Sequence, residues 1–234
     1  MPSIPKIFIP SYGPEDWRRF LAQPEKHWAA GYSARSLAEC WEAAQGFPVE
    51  VRRMLEHQPV FKGIEPLLIF PEWKVPLPGG SRASQCDIWI LAHARQELIS
   101  IAVEGKVGEP FDKTLMEWSV NASPGKVRRL SFLSAQLGLQ PPLPEGIRYQ
   151  LLHRAVAAIL EARRFGASQA VMLVHSFSQT QEHFSDFAAF VNLFGETAEA
   201  GQSVRVNIPG GLALHLGWVQ GAGPDFSPES LPPQ

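Results

Sequence analysis

The chain has few cysteines, the residues from which disulfide frameworks and many zinc sites are built. It contains two cysteines in 234 residues, Cys40 and Cys86, whose separation fits neither a zinc motif nor a disulfide framework. No run of 18 apolar residues occurs, which predicts that no helix crosses a membrane. The first residues lack a charged start followed by an apolar stretch, so we expect no signal peptide. Together, these absences favour a cytoplasmic protein.

Common catalytic signatures are also missing. The seven histidines have no HxH or HxxxH spacing, which argues against a zinc site. The paired glycines at 79–80 and 210–211 belong to turn-like stretches and fit neither the GxxxxGK[ST] nor the GxGxxG phosphate-binding pattern. No GxSxG elbow is present. His175 follows a buried strand pattern, and we interpret it as a satisfied histidine at the edge of the core.

The charges are few but unevenly distributed. The formal net charge of -2 argues against a general polyanion-binding protein. Residues 113–164, however, carry eight basic and three acidic side chains, a local net charge of +5, whereas residues 165–234 carry one basic and six acidic side chains. A basic segment favours a phosphate-bearing ligand, and an ordinary solvated helix face is the alternative.

Hydrophobic periodicity predicts a mixed α/β protein. We expect a helix near residues 33–45 and a longer one at 148–165, with strands at 86–92, 98–107 and 170–177. The order of helix, strands, helices and strand predicts a central mixed sheet that is flanked by helices on both faces.

The remaining segments complete a single predicted domain over residues 1–220. A short apolar run at 67–70 precedes Pro71 and a turn-rich stretch, and two further strands are expected near the C-terminus, at 203–208 and 212–219. The Pro-, Gly- and Ser-rich residues 221–234 are expected to form a disordered tail.

The run "ISIAVEGKV" places two opposite charges on one face of an apolar strand. Glu104 and Lys106 share that face because side chains alternate along a strand. If the preceding turn centres between residues 95 and 96, paired residue numbers sum to 191 and Asp87 faces Glu104. The opposite face then consists of aliphatic core residues, namely Ile88, Ile90, Ile101 and Val103. The prediction depends on this register, since a slip by one residue would turn Asp87 to the other face.

Two facing carboxylates repel each other and need compensation when they are partly buried. A Mg²⁺ or Mn²⁺ ion would supply it, because these hard cations are bound through carboxylate oxygens, water and phosphate. Lys106 would then lie where it contacts a phosphate or an attacking water. The alternative is a structural ion pair, either of Glu104 with Lys106 or of Lys106 with Glu109.

Asp87 followed by Glu104-Gly105-Lys106 resembles the D…(D/E)xK signature of the PD-(D/E)xK nucleases, which have the restriction-endonuclease-like fold. In that fold a helix precedes a three-stranded meander, and a helix then leads to a fourth strand, which corresponds here to residues 33–177. The resemblance implies metal-dependent hydrolysis of phosphodiesters. Asp87, Glu104 and the Gly105 carbonyl would be metal ligands, and Lys106 would orient water or stabilise charge. Cys86 stands where the motif has proline.

The resemblance extends to the helix that follows the Glu-x-Lys strand. Several branches of the superfamily carry a glutamine or a basic residue on this helix facing the site, and Gln150 and Arg154 are the matching positions. Some branches add a glutamate from the first helix, for which Glu39 and Glu42 are both candidates. The stretches at 31–48 and 148–167 also resemble an uncharacterised bacterial family.

These residues predict a nuclease that acts on nucleic acid, with DNA favoured over RNA. Lys126, Arg128 and Arg129 follow a predicted helix start and are expected to bind backbone phosphates together with Arg154. The alternative function is a catalytically inactive member of the same fold that binds nucleic acid or protein. A homodimer is compatible with the long apolar helices and the seven tryptophans.

Overall fold

Six strands form one mixed sheet in the order β1-β2-β3-β4-β6-β5. The computed structural model describes residues 11–21, 24–28 and 31–222. The strands are β1 (Glu65–Val75), β2 (Ser84–Ala94), β3 (Glu97–Lys106), β4 (Gln169–Ser176), β5 (Ser203–Asn207) and β6 (Ala213–Gln220). The first three form an antiparallel meander, β3, β4 and β6 run parallel, and β5 pairs antiparallel with β6. The predicted α/β class is therefore confirmed, and the two C-terminal strands extend the same sheet.

Helices cover both faces of this sheet. They are α1 (Pro24–His27), α2 (Ser33–Ala44), α3 (Val49–Glu56), α4 (Leu115–Ser119), α5 (Pro124–Leu137), α6 (Tyr149–Phe165) and α7 (Phe184–Asn192), with 3₁₀ turns at Pro14–Phe20 and Pro59–Phe61. One core lies between the sheet and α2 and α3, and the other lies between the sheet and α5, α6 and α7. No helix among the described residues is long and apolar enough to cross a membrane. Of the predicted C-terminal tail, residues 223–234 lie outside the described part of the chain.

The register of the β2–β3 hairpin is the predicted one. Ile88 pairs with Val103 and Ile90 pairs with Ile101, so paired numbers sum to 191. The paired residues end at Ile88 and Val103, and just beyond them the Gly105 N–H donates to Asp87 Oδ2 at 2.8 Å, which holds Asp87 beside the end of β3. All four aliphatic residues of the hairpin's other face are fully buried against α2 and α3. The charged side of the hairpin consequently faces α6.

Gly105 separates the two charged residues of β3 because helix α2 passes directly over it. A Cβ atom at this position would lie 2.3 Å from Leu37 Cδ1 and 2.8 Å from Leu37 Cγ, both well inside van der Waals contact. The glycine thus lets α2 approach the end of β3, where the charged side chains begin.

Replacing Gly105 with alanine should therefore lower the free energy of unfolding by about 1–3 kcal/mol, because α2 must shift to admit the methyl group. Gly146→Ala is the matched control, since no atom lies within 4 Å of a Cβ added there. We expect the control to change stability by less than about 1 kcal/mol. Urea unfolding of both variants measures the difference, and equal stabilities would contradict the close approach of α2.

Candidate active site

A cavity of about 430 Å³ opens at the end of β3, where three neighbouring strands each contribute a carboxylate. Glu72 comes from β1, Asp87 from β2 and Glu104 from β3. Its other charged or amide-bearing lining residues are Gln85, Lys106, Glu109, Gln150 and Arg154. The cavity therefore brings together five residues that the sequence singled out, namely Asp87, Glu104, Lys106, Gln150 and Arg154.

Glu104 is the most fully bonded carboxylate of the cavity and is only 2% exposed. Its Oε1 accepts hydrogen bonds from Lys106 Nζ at 2.6 Å and from Gln150 Nε2 at 2.7 Å. Its Oε2 accepts from Arg154 Nε at 2.5 Å. Burial alone would raise the pKa of Glu104, but the charges of Arg154 and Lys106 outweigh it and lower the pKa to about 2. Glu104 is therefore ionised throughout the physiological range.

Lys106 forms one of the two ion pairs that the sequence left open. It pairs with Glu104, whereas Glu109 accepts hydrogen bonds from the backbone N–H groups of Ser33 and Val107. The ammonium group also lies 4.9 Å from the centre of the Phe111 ring. Lys106 is 3% exposed, so its charge faces the cavity from within the protein.

Asp87 is less tightly held than Glu104. Its Oδ2 accepts a hydrogen bond from the Gly105 N–H at 2.8 Å, and its Oδ1 lies 3.5 Å from Arg154 Nη2. The side chain is 21% exposed. Burial and the neighbouring charge of Glu104 raise the pKa of Asp87 to about 7. This carboxyl group therefore exchanges its proton near neutral pH.

Glu72 is a third carboxylate that the sequence analysis did not identify. Its Oε2 accepts a hydrogen bond from Gln85 Nε2 at 2.6 Å. Burial and the charge of Asp87 raise the pKa of Glu72 to about 8. Its backbone has a φ of 53°, in the left-handed region that non-glycine residues seldom adopt. In the pairing of β1 with β2, Pro71 faces Ile88 and Trp73 faces Cys86, so Glu72 flanks Asp87. The sequence carried no signal for this pairing.

Arg154 joins the carboxylates of two strands to helix α6. Besides its contacts with Glu104 and Asp87, its Nη1 donates to Ser84 Oγ at 3.2 Å. Ser84 Oγ in turn lies 2.8 Å from His153 Nδ1, which fixes the start of β2 against α6. The predicted phosphate-binding arginine is thus buried and paired with carboxylates.

The amide of Gln150, in the first turn of α6, is held by hydrogen bonds at both its oxygen and its nitrogen. The Asp112 N–H donates to Gln150 Oε1 at 3.1 Å. This contact leaves the amide Nε2 to donate to Glu104, so the orientation of the side chain is determined from both ends.

The three predicted phosphate-binding residues of α5 lie outside this cavity. Arg129 is buried and donates to the carbonyl groups of Leu77, Pro78 and Gly80, which makes it a support for the loop before β2. Lys126 lines a second cavity, and Arg128 is exposed and lines neither of the two.

Neither glutamate of α2 reaches the acidic cavity. Glu39 forms an exposed ion pair with Arg35, and Glu42 accepts a hydrogen bond from the Trp17 indole N–H at 2.7 Å. The sequence left open whether Glu39 or Glu42 joins the site, and in the structure neither of them lines the cavity.

Cys40, Glu50 and His175 form a separate cluster on the other face of the sheet, and their ligand atoms lie within 4.8 Å of one another. The Trp41 indole N–H donates to His175 Nδ1 at 3.2 Å, so Nε2 must carry the imidazole proton. Nε2 lies 3.3 Å from Glu50 Oε1 and is not available as a metal ligand in this tautomer. Burial and Glu50 raise the pKa of the Cys40 thiol to about 12. This cluster is a buried polar network in which His175 Nδ1 accepts from Trp41, whereas Nε2 has no hydrogen bond of good geometry among the described residues. The predicted satisfied histidine is therefore satisfied at Nδ1 alone.

Comparison with known proteins gives a family without a described activity. No curated protein and no solved structure matches the chain. One family model, described as a domain of unknown function (DUF6946), matches residues 10–223 and so spans the whole sheet and both helical layers. The chain belongs to the DUF6946 family.

Proposed function

We propose that this protein is a metal-dependent phosphodiesterase that cleaves nucleic acid, with an active site of the PD-(D/E)xK type. The observation that carries the proposal is the convergence of Asp87, Glu104, Lys106 and Gln150 on one cavity. Two acidic groups, one lysine and one amide from different elements are seldom gathered without a chemical role, because burying them is costly.

The order of elements supports the same proposal. Helices α2 and α3 precede the β1–β3 meander, and α6 leads to β4, which pairs parallel with β3. Asp87 lies near the start of the second strand and Glu104-Gly105-Lys106 ends the third. This is the arrangement that the resemblance to restriction-endonuclease-like nucleases implies.

The donor set of the cavity fits Mg²⁺ or Mn²⁺. Glu72, Asp87 and Glu104 offer hard carboxylate oxygens. Gly105, whose carbonyl is the further ligand that the resemblance implies, is not among the described residues that line the cavity. Four acidic side chains and two cationic ones line the cavity, so Arg154 and Lys106 offset this negative charge only in part. A divalent ion, when bound, would polarise the phosphate and lower the pKa of a bound water.

The chain's own residues then have separate tasks. Lys106 provides a fixed positive charge beside the cavity, where negative charge that develops on a phosphate is stabilised. Gln150 and Arg154 hold the Glu104 carboxylate in one orientation. The Gly105 N–H donates to Asp87 Oδ2 and so holds the Asp87 carboxylate at the cavity, where it would bind the ion.

Cleavage assays test the proposal. The wild type should cleave single- or double-stranded DNA, or RNA of the same sequence, when Mg²⁺ or Mn²⁺ is present and not when it is removed. Lys106→Ala should lower kcat by roughly 10²-fold or more, because the fixed charge is lost. Arg53→Ala, which alters an exposed residue of α3 outside the cavity, should leave kcat unchanged. Absence of metal-dependent cleavage by the wild type on every substrate would refute the catalytic proposal.

One observation favours a second candidate function, a nucleic-acid-binding module without catalysis. Both oxygens of Glu104 already accept hydrogen bonds from Lys106, Gln150 and Arg154, so this carboxylate is neutralised without an ion. If the protein is such a module, the wild type binds oligonucleotides and does not cleave them. The wild type and Lys106→Ala then give the same result in the cleavage assay.

A further inference from the structure

A second cavity of about 390 Å³ lies beside the first turn of α6. It is lined by Leu77, Arg82, Ala83, Asp112, Lys113, Trp118, Lys126, Arg129, Tyr149 and His153. Four of these side chains are cationic and one is acidic. The first cavity has the opposite balance, with four glutamate or aspartate side chains and two cationic ones. The two cavities therefore suit different parts of one ligand that carries both metal-binding and free phosphate groups.

The four cations of this basic cavity are not neutralised by carboxylates. Across residues 11–21, 24–28 and 31–222, no salt bridge includes Arg82, Lys113, Lys126 or Arg129. Asp112 is exposed, and burial and the charge of Arg154 lower the pKa of His153 well below its usual value, so His153 is neutral. The cavity thus keeps a net positive charge at neutral pH.

Two of these cations are held in place by neutral groups. Lys126 Nζ donates to the Trp118 carbonyl at 2.6 Å and lies 5.3 Å from the centre of the Trp118 indole. Arg129 is held by the carbonyl groups of the loop before β2. Trp118 stacks on Tyr149 with ring centres 4.2 Å apart, which makes a rigid wall. The positive charge of this side of the cavity is therefore pre-organised.

The other two cations, Arg82 and Lys113, are exposed and have no side-chain hydrogen bond within the described part of the chain. The backbone of Lys113 is nevertheless fixed, because its carbonyl accepts from the Tyr149 N–H at 3.0 Å. Both side chains are thus available to a ligand at the rim of the cavity.

The basic cavity is a direct neighbour of the acidic one. Helix α6 contributes Tyr149 and His153 to the basic cavity and Gln150 and Arg154 to the acidic one. Asp112 lines the basic cavity, while its N–H donates to Gln150 in the acidic one. The two cavities therefore lie against the same first turns of α6.

We propose that the basic cavity is a phosphate subsite, which binds a phosphate of the nucleic-acid strand adjacent to the phosphate in the acidic cavity. Arg82 and Lys113 contact this phosphate, and Lys126 and Arg129 supply a fixed positive background. The choice of a nucleic-acid strand as ligand rests on the proposed function. Binding itself needs no metal, because the phosphate is neutralised by side chains alone.

Fluorescence anisotropy with a labelled single-stranded DNA in EDTA tests the subsite, and RNA of the same sequence forms a second arm. Arg82→Ala and Lys113→Ala should each weaken binding about three-fold at about 50 mM salt and reduce the slope of log K against log salt by about 0.7. The matched control is Arg53→Ala, an exposed residue of α3 that lines neither cavity and should bind as the wild type does. Melting temperatures of all variants should agree, since both substituted residues are exposed.

Two results would overturn the subsite. One is no binding by the wild type in EDTA, and the other is wild-type affinity and salt slope in both variants. Cleavage is measured separately with Mg²⁺, so the two proposals fail independently. Cleavage with unchanged binding by the variants removes only the subsite. Binding that depends on Arg82 and Lys113 without any cleavage removes only the catalytic proposal.

Discussion

Replacing Arg154 with methionine should lower the free energy of unfolding by about 3–5 kcal/mol at about pH 8, because it removes one partner of a buried ion-pair network. Arg154 contacts Glu104 at 2.5 Å and Asp87 at 3.5 Å, and no other guanidinium lines this cavity. In the variant, two carboxylates face each other with only Lys106 to offset them. Urea unfolding of the wild type and the variant measures the loss.

The loss should become smaller at lower pH. Without Arg154 the pKa of Glu104 rises towards or above that of the unfolded chain, so the folded variant takes up protons more readily as the pH falls. Arg128→Met is the control and should change stability by less than about 0.5 kcal/mol, since Arg128 is exposed.

A double-mutant cycle separates charge from packing in this result. Arg154→Met combined with Glu104→Gln should cost less than the sum of the two single substitutions, with a coupling of about 1–3 kcal/mol. Additive losses would mean that Arg154 stabilises the fold through its hydrocarbon stem alone, and the network would then have no electrostatic part.

The β2–β3 hairpin could be predicted from the sequence because the residues that determine it are close together in the chain. Ile88, Ile90, Ile101 and Val103 alternate with other residues on both sides of a short turn, so one register buries all four. That register also decides which face Asp87 occupies. The position of Glu104 and Lys106 on the other face then follows from strand geometry alone.

Glu72 escaped prediction because the pattern around it is atypical of a strand. Pro71 precedes it, and proline usually ends a strand, but β1 lies at the edge of the sheet, where a missing N–H is tolerated. The strand accordingly continues to Val75, beyond the predicted end at residue 70. β1 and β2 are joined by the Pro- and Gly-rich loop 76–83, and the length of this loop does not determine which residues of the two strands pair.

The partners of the charged residues at the site could not be predicted from local sequence patterns either. Arg154 was expected to face a phosphate, yet it bonds Glu104, which is 50 residues away in the chain. Arg129 was expected to do the same, yet it holds the loop before β2. A basic segment in the sequence indicates where positive charge occurs, but the tertiary fold decides which cations meet carboxylates and which stay unpaired.

Replacing Glu72 with glutamine should make the protein more stable than the wild type at about pH 8, with a smaller advantage at about pH 6. The Glu72 carboxyl has a pKa of about 8 in the folded protein, against 4.5 for an ordinary glutamate. Between these values the folded wild type holds a proton that the unfolded chain has released. Its free energy of unfolding therefore falls by up to about 1.4 kcal/mol for each pH unit.

Glutamine does not titrate, so the variant lacks this loss, and its stability advantage over the wild type should grow from pH 6 to pH 8. The histidines His153, His175 and His215 have lowered pKa values, but both proteins contain them and their effect cancels in the difference. Urea unfolding at several pH values measures it. Parallel stability curves would mean that Glu72 is ionised in the folded protein across this range. The proposed metal site predicts that Mg²⁺ stabilises the wild type more at pH 8 than at pH 6, because an ion held by these carboxylates would compete with protons for them.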